Sequence, residues 1–401
     1  MKTLITIIAL CASTAYAQQA TSQANTSTVE TATKSLDNFI EDKVKESGMV
    51  GLGAAIIVNK EVVWMKGYGY ADKESNKPFT TNTIMNIGSI SKTFTGVALM
   101  RAVEEKKLSL DEDINQYLPF KVINPYCPNE KITLRHLATH TSGIADAYPT
   151  YDSVYHYGGD SPVQLGSFLK SYFEPGGKFY SKENFLNHKP GTYREYSNIG
   201  AGLAGYIVEI VTGKKLNVYT KQHIFKPLKM NNTGWFFSEI NLANHSKLYD
   251  KTTDKLKPIE LYGEITYPDG SVRTSVSELS KFFIALLNEG QYKGVRLLKK
   301  ASVDEMLRFH YTIDNKPENI ELNEKNAGIF WSTKMNTTRI GHGGSDPGVK
   351  TEMLADLSKE VAVIIFTNTA LPNKEMGKYF YGIYDELHKT GEKIKDALTK
   401  P

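Results

Sequence analysis

The sequence predicts a mixed α/β protein of the α+β type: an antiparallel sheet flanked by helices, with a helix-rich second lobe beside it. Three observations carry this. β-Rich runs lie near both ends of the chain, Val50 to Val58 with Glu61 to Tyr70, and Met353 to Leu357 with Val361 to Asn368, each pair hinged on two residues as in a hairpin. Helical spacing of apolar residues opens the chain at Leu36, Phe39, Ile40 and Val44, and an amphipathic helix closes it from Lys374 to about Leu398. The middle carries helical rather than strand patterning, clearest over Ala201 to Val211. The simplest packing joins the two strand-bearing ends, 34–108 and 268–398, in one sheet covered by the terminal helices, with 109–267 as the second lobe and a cleft between them.

Taken in order, Met1 to Thr14 gives a charged start and a short apolar run, and Ala15-Tyr16-Ala17 is a small-residue cleavage site. This reads as a signal peptide over residues 1–17, with the mature protein beginning near Gln18 in the periplasm or outside the cell. Leu10 stands before Cys11 where a lipid-anchor signal has a small residue, so no anchor is expected. Residues 18–33, rich in Ser, Thr, Gln and Ala, read as a flexible leader. No later stretch approaches the ~20 apolar residues of a membrane-spanning helix. With Cys11 removed, Cys127 stands alone and no internal disulfide forms. A net charge of +4 spread over 401 residues without basic runs excludes a nucleic-acid partner.

The segment from Ser89 to about Lys106 holds Phe94, Val97, Ala98, Leu99, Met100 and Val103, apolar nearly all round, as a buried helix is. Leu108 to Pro119 is a polar connection, Ile132 to His140 a short helix, and Glu278 to Asn288 another amphipathic helix. Gly328 to Ser332 and Thr338 to His342 are strand-like.

The chemistry centres on Asn86-Ile87-Gly88-Ser89-Ile90-Ser91-Lys92. A serine hydroxyl is a weak nucleophile until a base stands within hydrogen-bond reach, and residues three apart on a helix share a face, which points Lys92 at Ser89. Ser-x-x-Lys is common by chance and recurs at Ser167 to Lys170. The copy at Ser89 differs in its company: a glycine before it, a buried helix after it, and Tyr196-Ser197-Asn198 and His342-Gly343-Gly344 downstream.

With those three motifs in that order the chain resembles the serine β-lactamase and penicillin-binding-protein superfamily, on its class C β-lactamase and DD-peptidase-like branch. Lys107 to Asp111, Ile132 to Gly143 and Tyr267-Pro268-Asp269-Gly270-Ser271 are similar as well, so the resemblance runs from about Asp37 to about Asn368. It implies a β-lactamase/transpeptidase-like fold and a role for each motif. Ser89 would be the acylated nucleophile, and Lys92 and Tyr196 would share the general acid–base work. Asn198 would bind the substrate amide, and the backbone N–H groups of Ser89 and Ser345 would form an oxyanion hole. Gly343 and Gly344 would let the substrate backbone approach the strand. It implies no metal and no cofactor, and a small-molecule or peptide substrate. The oligomeric state is left open.

Departures bear on the substrate. His342 stands where β-lactamases have a lysine, and a histidine is mostly neutral at pH 7, so turnover of β-lactams is less expected than that of D-amino-acid peptides, amides or esters. A β-lactamase, an acyltransferase using the same acyl-enzyme, and a non-catalytic peptidoglycan-fragment receptor stay open as alternatives. Lys389-Thr390-Gly391 spells the β-lactamase third motif but falls in the closing helix, and Lys389 is read as a solvated helix residue. His136 and His140 have zinc-pair spacing without a third ligand and are read as structural. Tyr148, Tyr151, Tyr155 and Tyr157 either line the cleft or pack as a cluster.

Overall fold

The computed structural model describes residues 29–251 and 255–399. The expected signal peptide, and the leader up to residue 28, lie outside them; the rest of the leader, 29–33, is helical. The chain runs through helix α1 (Leu36–Ser47), strands β1 (Gly51–Val58), β2 (Glu61–Asp72) and β3 (Lys77–Pro78), and helices α2 (Ser91–Glu104), α3 (Leu134–Ala138), α4 (Leu165–Phe173), α5 (Asn198–Thr212) and α6 (Val276–Leu287). Strands β4 (Ser332–Lys334), β5 (Arg339–Asp346), β6 (Val349–Asp356) and β7 (Val361–Thr367) follow, then helix α7 (Lys374–Thr399), with shorter elements between.

Seven strands form an antiparallel sheet in the order β4-β5-β6-β7-β1-β2-β3. The two ends of the chain meet where β1 pairs with β7, from Leu52 opposite Thr367 to Val58 opposite Val361. Successive side chains of a strand point to opposite faces, and the sheet is apolar on both. Leu52, Ala54, Ile56, Val363 and Ile365 pack under α1 and α7 with Ile40, Val44, Phe380, Tyr384 and Leu387. Ala55, Ile57, Ala362, Ile364 and Phe366 face the other way into a larger core that takes in α2, α5 and α6. Both hairpin hinges are as expected, with Asn59, Lys60 and Lys359 in the left-handed region that a tight turn requires.

Helix α2 is buried on almost every side from Ser91 to Met100, and Phe94 stacks on Phe282 of α6 at 3.8 Å between ring centroids. It starts two residues later than expected: Gly88 to Ile90 form a 3-10 turn, which places Ser89 ahead of the α-helix. The expected strand at Gly328 to Ser332 is also different. Only Ser332–Lys334 is strand, because Phe330 turns at φ 52° and its N–H is spent on Ala138 O. Ser167 and Lys170 are exposed on α4, and Lys389 is exposed on α7. Among the described residues no helix is long and apolar enough to cross a membrane.

Candidate active site

The site lies where the 3-10 turn before α2 meets β5 and the start of α5. Gly88 makes that meeting possible. Its φ of 55° strains any residue with a side chain, and a Cβ there would stand 2.8 Å from Asp346 Oδ2 and 3.2 Å from both Gly344 Cα and Ser345 N. The same approach brings the Ser345 amide beside the turn that carries Ser89. Gly343 and Gly344 are required for packing within the protein: a Cβ would stand 2.3 Å from Glu352 Oε2 at the first and 2.2 Å from Ile87 O at the second. These contacts exclude a side chain at either position, and both glycines also line the cavity beside Ser89.

Lys92 Nζ, wholly buried, donates to Ser89 Oγ at 3.1 Å, Asn198 Oδ1 at 2.6 Å and the Asp269 main-chain oxygen at 2.9 Å. Asp269 Oδ2 adds a buried ion pair at 3.6 Å. Burial disfavours the ammonium, but Tyr196 and the Asp269 carboxylate outweigh it, and the Lys92 pKa is raised. The Tyr196 ring lies 5.0 Å below the ammonium and against the His140 ring at 4.3 Å. Its hydroxyl is buried with no hydrogen bond of standard geometry, although Lys92 and Ser89 both bear on it. Burial raises the phenol's pKa and those two neighbours pull it part of the way back.

Asp146, which the sequence did not single out, organises this end of the site. Its carboxylate accepts from Ser197 Oγ and Ile199 N at 2.9 Å and from Asn198 N at 2.8 Å, and also from Asn198 Nδ2 at 2.9 Å. With Ser197 Oγ accepting from Gly200 N, it caps α5 and turns the Asn198 oxygen toward Lys92. The two histidines of zinc-pair spacing have other work. His136 closes a capping box with Thr133 at the head of α3, and His140 Nδ1 accepts from Ser197 N at 3.2 Å.

A cavity of about 400 Å³ opens from Ser89 along β5, and Tyr148, Tyr151 and Tyr155 line it. Two of these tyrosines hold carboxylates: Tyr151 Oη donates to Asp269 Oδ2 at 3.4 Å and Tyr155 Oη to Asp346 Oδ1 at 3.0 Å. Burial pushes the Asp269 carboxyl up to about 6 and that of Asp346, with Asp269 adding to it, up to about 7. The other end of the cavity is cationic, with Arg194, Lys325, Lys334 and Lys350. Lys334 and Lys350 each lie 3.7 Å from Glu352 Oε1. Lys325 donates only to Thr333 O among the contacts described, at 3.2 Å, and burial with Arg194 and Lys334 nearby brings its pKa down to about 8. His342 is not a charge here. Burial holds its pKa well below the usual imidazole value, Lys92 adds to that, and Nδ1 lies 2.7 Å from Gly343 O. The structure thus gathers Ser89, Lys92, Tyr196, Asn198, His342 and Ser345 from three distant stretches. Asp269 sits inside a stretch whose Asp-Gly signals only a turn, and the cations are scattered singly, so neither group was readable as a site.

With this geometry the chain belongs to the Beta-lactamase family, whose model matches residues 36–387. A curated relative is Protein flp of Staphylococcus aureus (strain MRSA252), 25% identical over 342 residues, which are 83% of this chain and 62% of that protein. The chain therefore spans less than two thirds of that relative's length. Among solved structures, the octameric penicillin-binding protein homologue from Pyrococcus abyssi superposes with a TM-score of 0.68 at 25% identity, over 88% of this chain and 77% of that one. D-amino acid amidase from Ochrobactrum anthropi SV3 superposes with a TM-score of 0.70 at 22% identity, over 90% and 99%, and shows the shared fold.

Proposed function

We propose that the protein is a serine hydrolase that forms an acyl-enzyme at Ser89 on amide or ester bonds, of D-amino-acid peptides, amides or esters. The observation that carries this is the contact of Lys92 Nζ with Ser89 Oγ at 3.1 Å, with the unpartnered Tyr196 hydroxyl beside both at the floor of an open cavity. Ser89 Oγ attacks the substrate carbonyl and its proton passes to the Lys92–Tyr196 pair. The carbonyl oxygen gains charge as the tetrahedral intermediate forms, facing the N–H groups of Ser89 and Ser345. The pair then returns the proton to the leaving nitrogen or oxygen as its bond to carbon breaks. Water resolves the acyl-enzyme by the same path in reverse.

The substrate class draws support from two sides. The fold is shared with a D-amino acid amidase. The cavity also carries, in Arg194, Lys325 and Lys334, the positive charge that a substrate carboxylate needs and that neutral His342 does not provide. The signal peptide read in residues 1–17 supports export.

The test is turnover of D-Ala-D-Ala peptides, D-amino-acid amides, short-chain esters and β-lactams by the wild type and Ser89→Ala. D-amino-acid substrates are expected to be turned over, and Ser89→Ala to lose about a thousandfold or more in kcat/KM. Retained turnover in Ser89→Ala overturns the nucleophile, and fastest turnover of β-lactams overturns the substrate class.

A further inference from the structure

Three acceptors surround Lys92 Nζ: Ser89 Oγ, Asn198 Oδ1 and Asp269 O. Satisfying all three takes three N–H bonds, which an ammonium has and a neutral amine lacks. Above the pH of about 6 to which its carboxyl is pushed, Asp269 adds a negative charge at 3.6 Å, with the lysine side chain 0% and the aspartate side chain 3% exposed. Asp269 therefore contacts the ammonium twice, through its main chain and its side chain. Its turn, Tyr267–Asp269, is pinned to α2 by Thr95 Oγ1 donating to Pro268 O at 2.7 Å. A lysine that serves as a base has to shed its proton near the working pH, and this surrounding opposes that. Tyr196 Oη is the polar atom next to Ser89 left without a hydrogen bond of standard geometry.

From this geometry we infer that Asp269 is a positioning residue: it keeps Lys92 an ammonium throughout acylation and so leaves Tyr196 as the group that accepts the Ser89 proton. The inference rests on the Ser89 acyl-enzyme proposed above. As the Oγ–carbon bond forms, the proton moves from Ser89 Oγ to the Tyr196 phenolate, which the ammonium stabilises. As the scissile bond breaks, Tyr196 Oη gives that proton to the leaving group, and Lys92 keeps all of its own.

The groups that face Asp269 set the sign of the pH dependence. Lys92 faces it from α2, Tyr196 from just before α5, Asp146 from the segment after α3, Tyr151 through its hydroxyl, Tyr155 from the short strand Tyr155–Tyr157, Asp346 from the end of β5, and Glu264 from the short strand Tyr262–Glu264. A negative charge at 269 makes loss of a proton from Tyr196 harder, so removing it makes that loss easier.

The experiment is the rate of Ser89 acylation by a fluorophosphonate across pH, for wild type and Asp269→Asn, which keeps shape and main-chain contact. The acid limb is expected to move to lower pH by about one unit or more in the variant. A limb at the same pH, with only its height changed, overturns the inference and gives Asp269 a structural role. Because Asp269→Asn is buried and can fail to fold, the wild type offers a second readout. In protein with 15N-lysine, the Lys92 Nζ resonance, assigned by its loss in Lys92→Met, is expected at the ammonium position from about pH 6 to about pH 9. An amine resonance in that range overturns the inference. Failure of labelling at Ser89 itself contradicts the proposed function, whereas labelling with an unmoved limb contradicts only the role of Asp269.

Discussion

At the scale of single residues, the positive charge of the cavity is carried by different side chains from the one the third motif pointed to. His342 is buried and neutral, so a fall in activity on carboxylate substrates between about pH 5 and pH 7 is not expected from it. Lys325 titrates instead. Its pKa is brought down to about 8, so it is charged below that pH and loses its charge above it. KM for a carboxylate-bearing peptide should therefore rise between about pH 7 and pH 9 relative to the same peptide capped as an amide. Lys325→Met should raise that KM by roughly tenfold at pH 7, with little change for the capped peptide, and remove the pH-dependent rise. Steady-state kinetics on the two peptides checks both. Ser89, Lys92, Tyr196 and Asn198 were readable from the sequence because each belongs to a short motif in a fixed order. Asp146 and Asp269 were not, because each acts through a partner more than fifty residues away, brought near only by the fold; Lys325 was not, because a single lysine in a polar stretch carries no motif.

At the scale of elements, the site depends on how two helices begin. Helix α2 is preceded by a 3-10 turn that holds Ser89 under β5, and α5 begins at a cap that Asp146 completes from outside the helix. Asp146→Ala removes acceptors from Ser197, Asn198 and Ile199 together. It should cost about 1–3 kcal/mol of stability in urea unfolding and release Asn198 from its orientation toward Lys92. Activity should fall below what the loss of folded protein explains, a comparison made by measuring both on one sample. The elements that the sequence predicted well are those whose pattern and packing agree, such as the β1–β2 hairpin and α7. The expectation at Gly328 to Ser332 failed because its apolar run is anchored by loop bonds, Ile329 N to Met306 O and Gly328 N to Trp331 O, and not by a neighbouring strand. The start of α2 was missed by two residues because no local signal separates a 3-10 turn from a first helical turn.

At the scale of the whole molecule, the sheet takes one hairpin from each end of the chain and the site is built on the face turned toward the middle segment. The strand order at the junction, β6-β7-β1-β2, follows from two hairpins that bury both faces under terminal helices, which is why this much was legible. The edge strands β3 and β4, two and three residues long, carry too little pattern to be foreseen. The central claim is that this assembly turns Ser89 into a nucleophile. Its most direct test is the intact mass of the protein after treatment with a fluorophosphonate, with the adduct mapped by peptide sequencing. The account predicts one adduct, on Ser89, absent in Ser89→Ala; an adduct of the same stoichiometry in Ser89→Ala would contradict it.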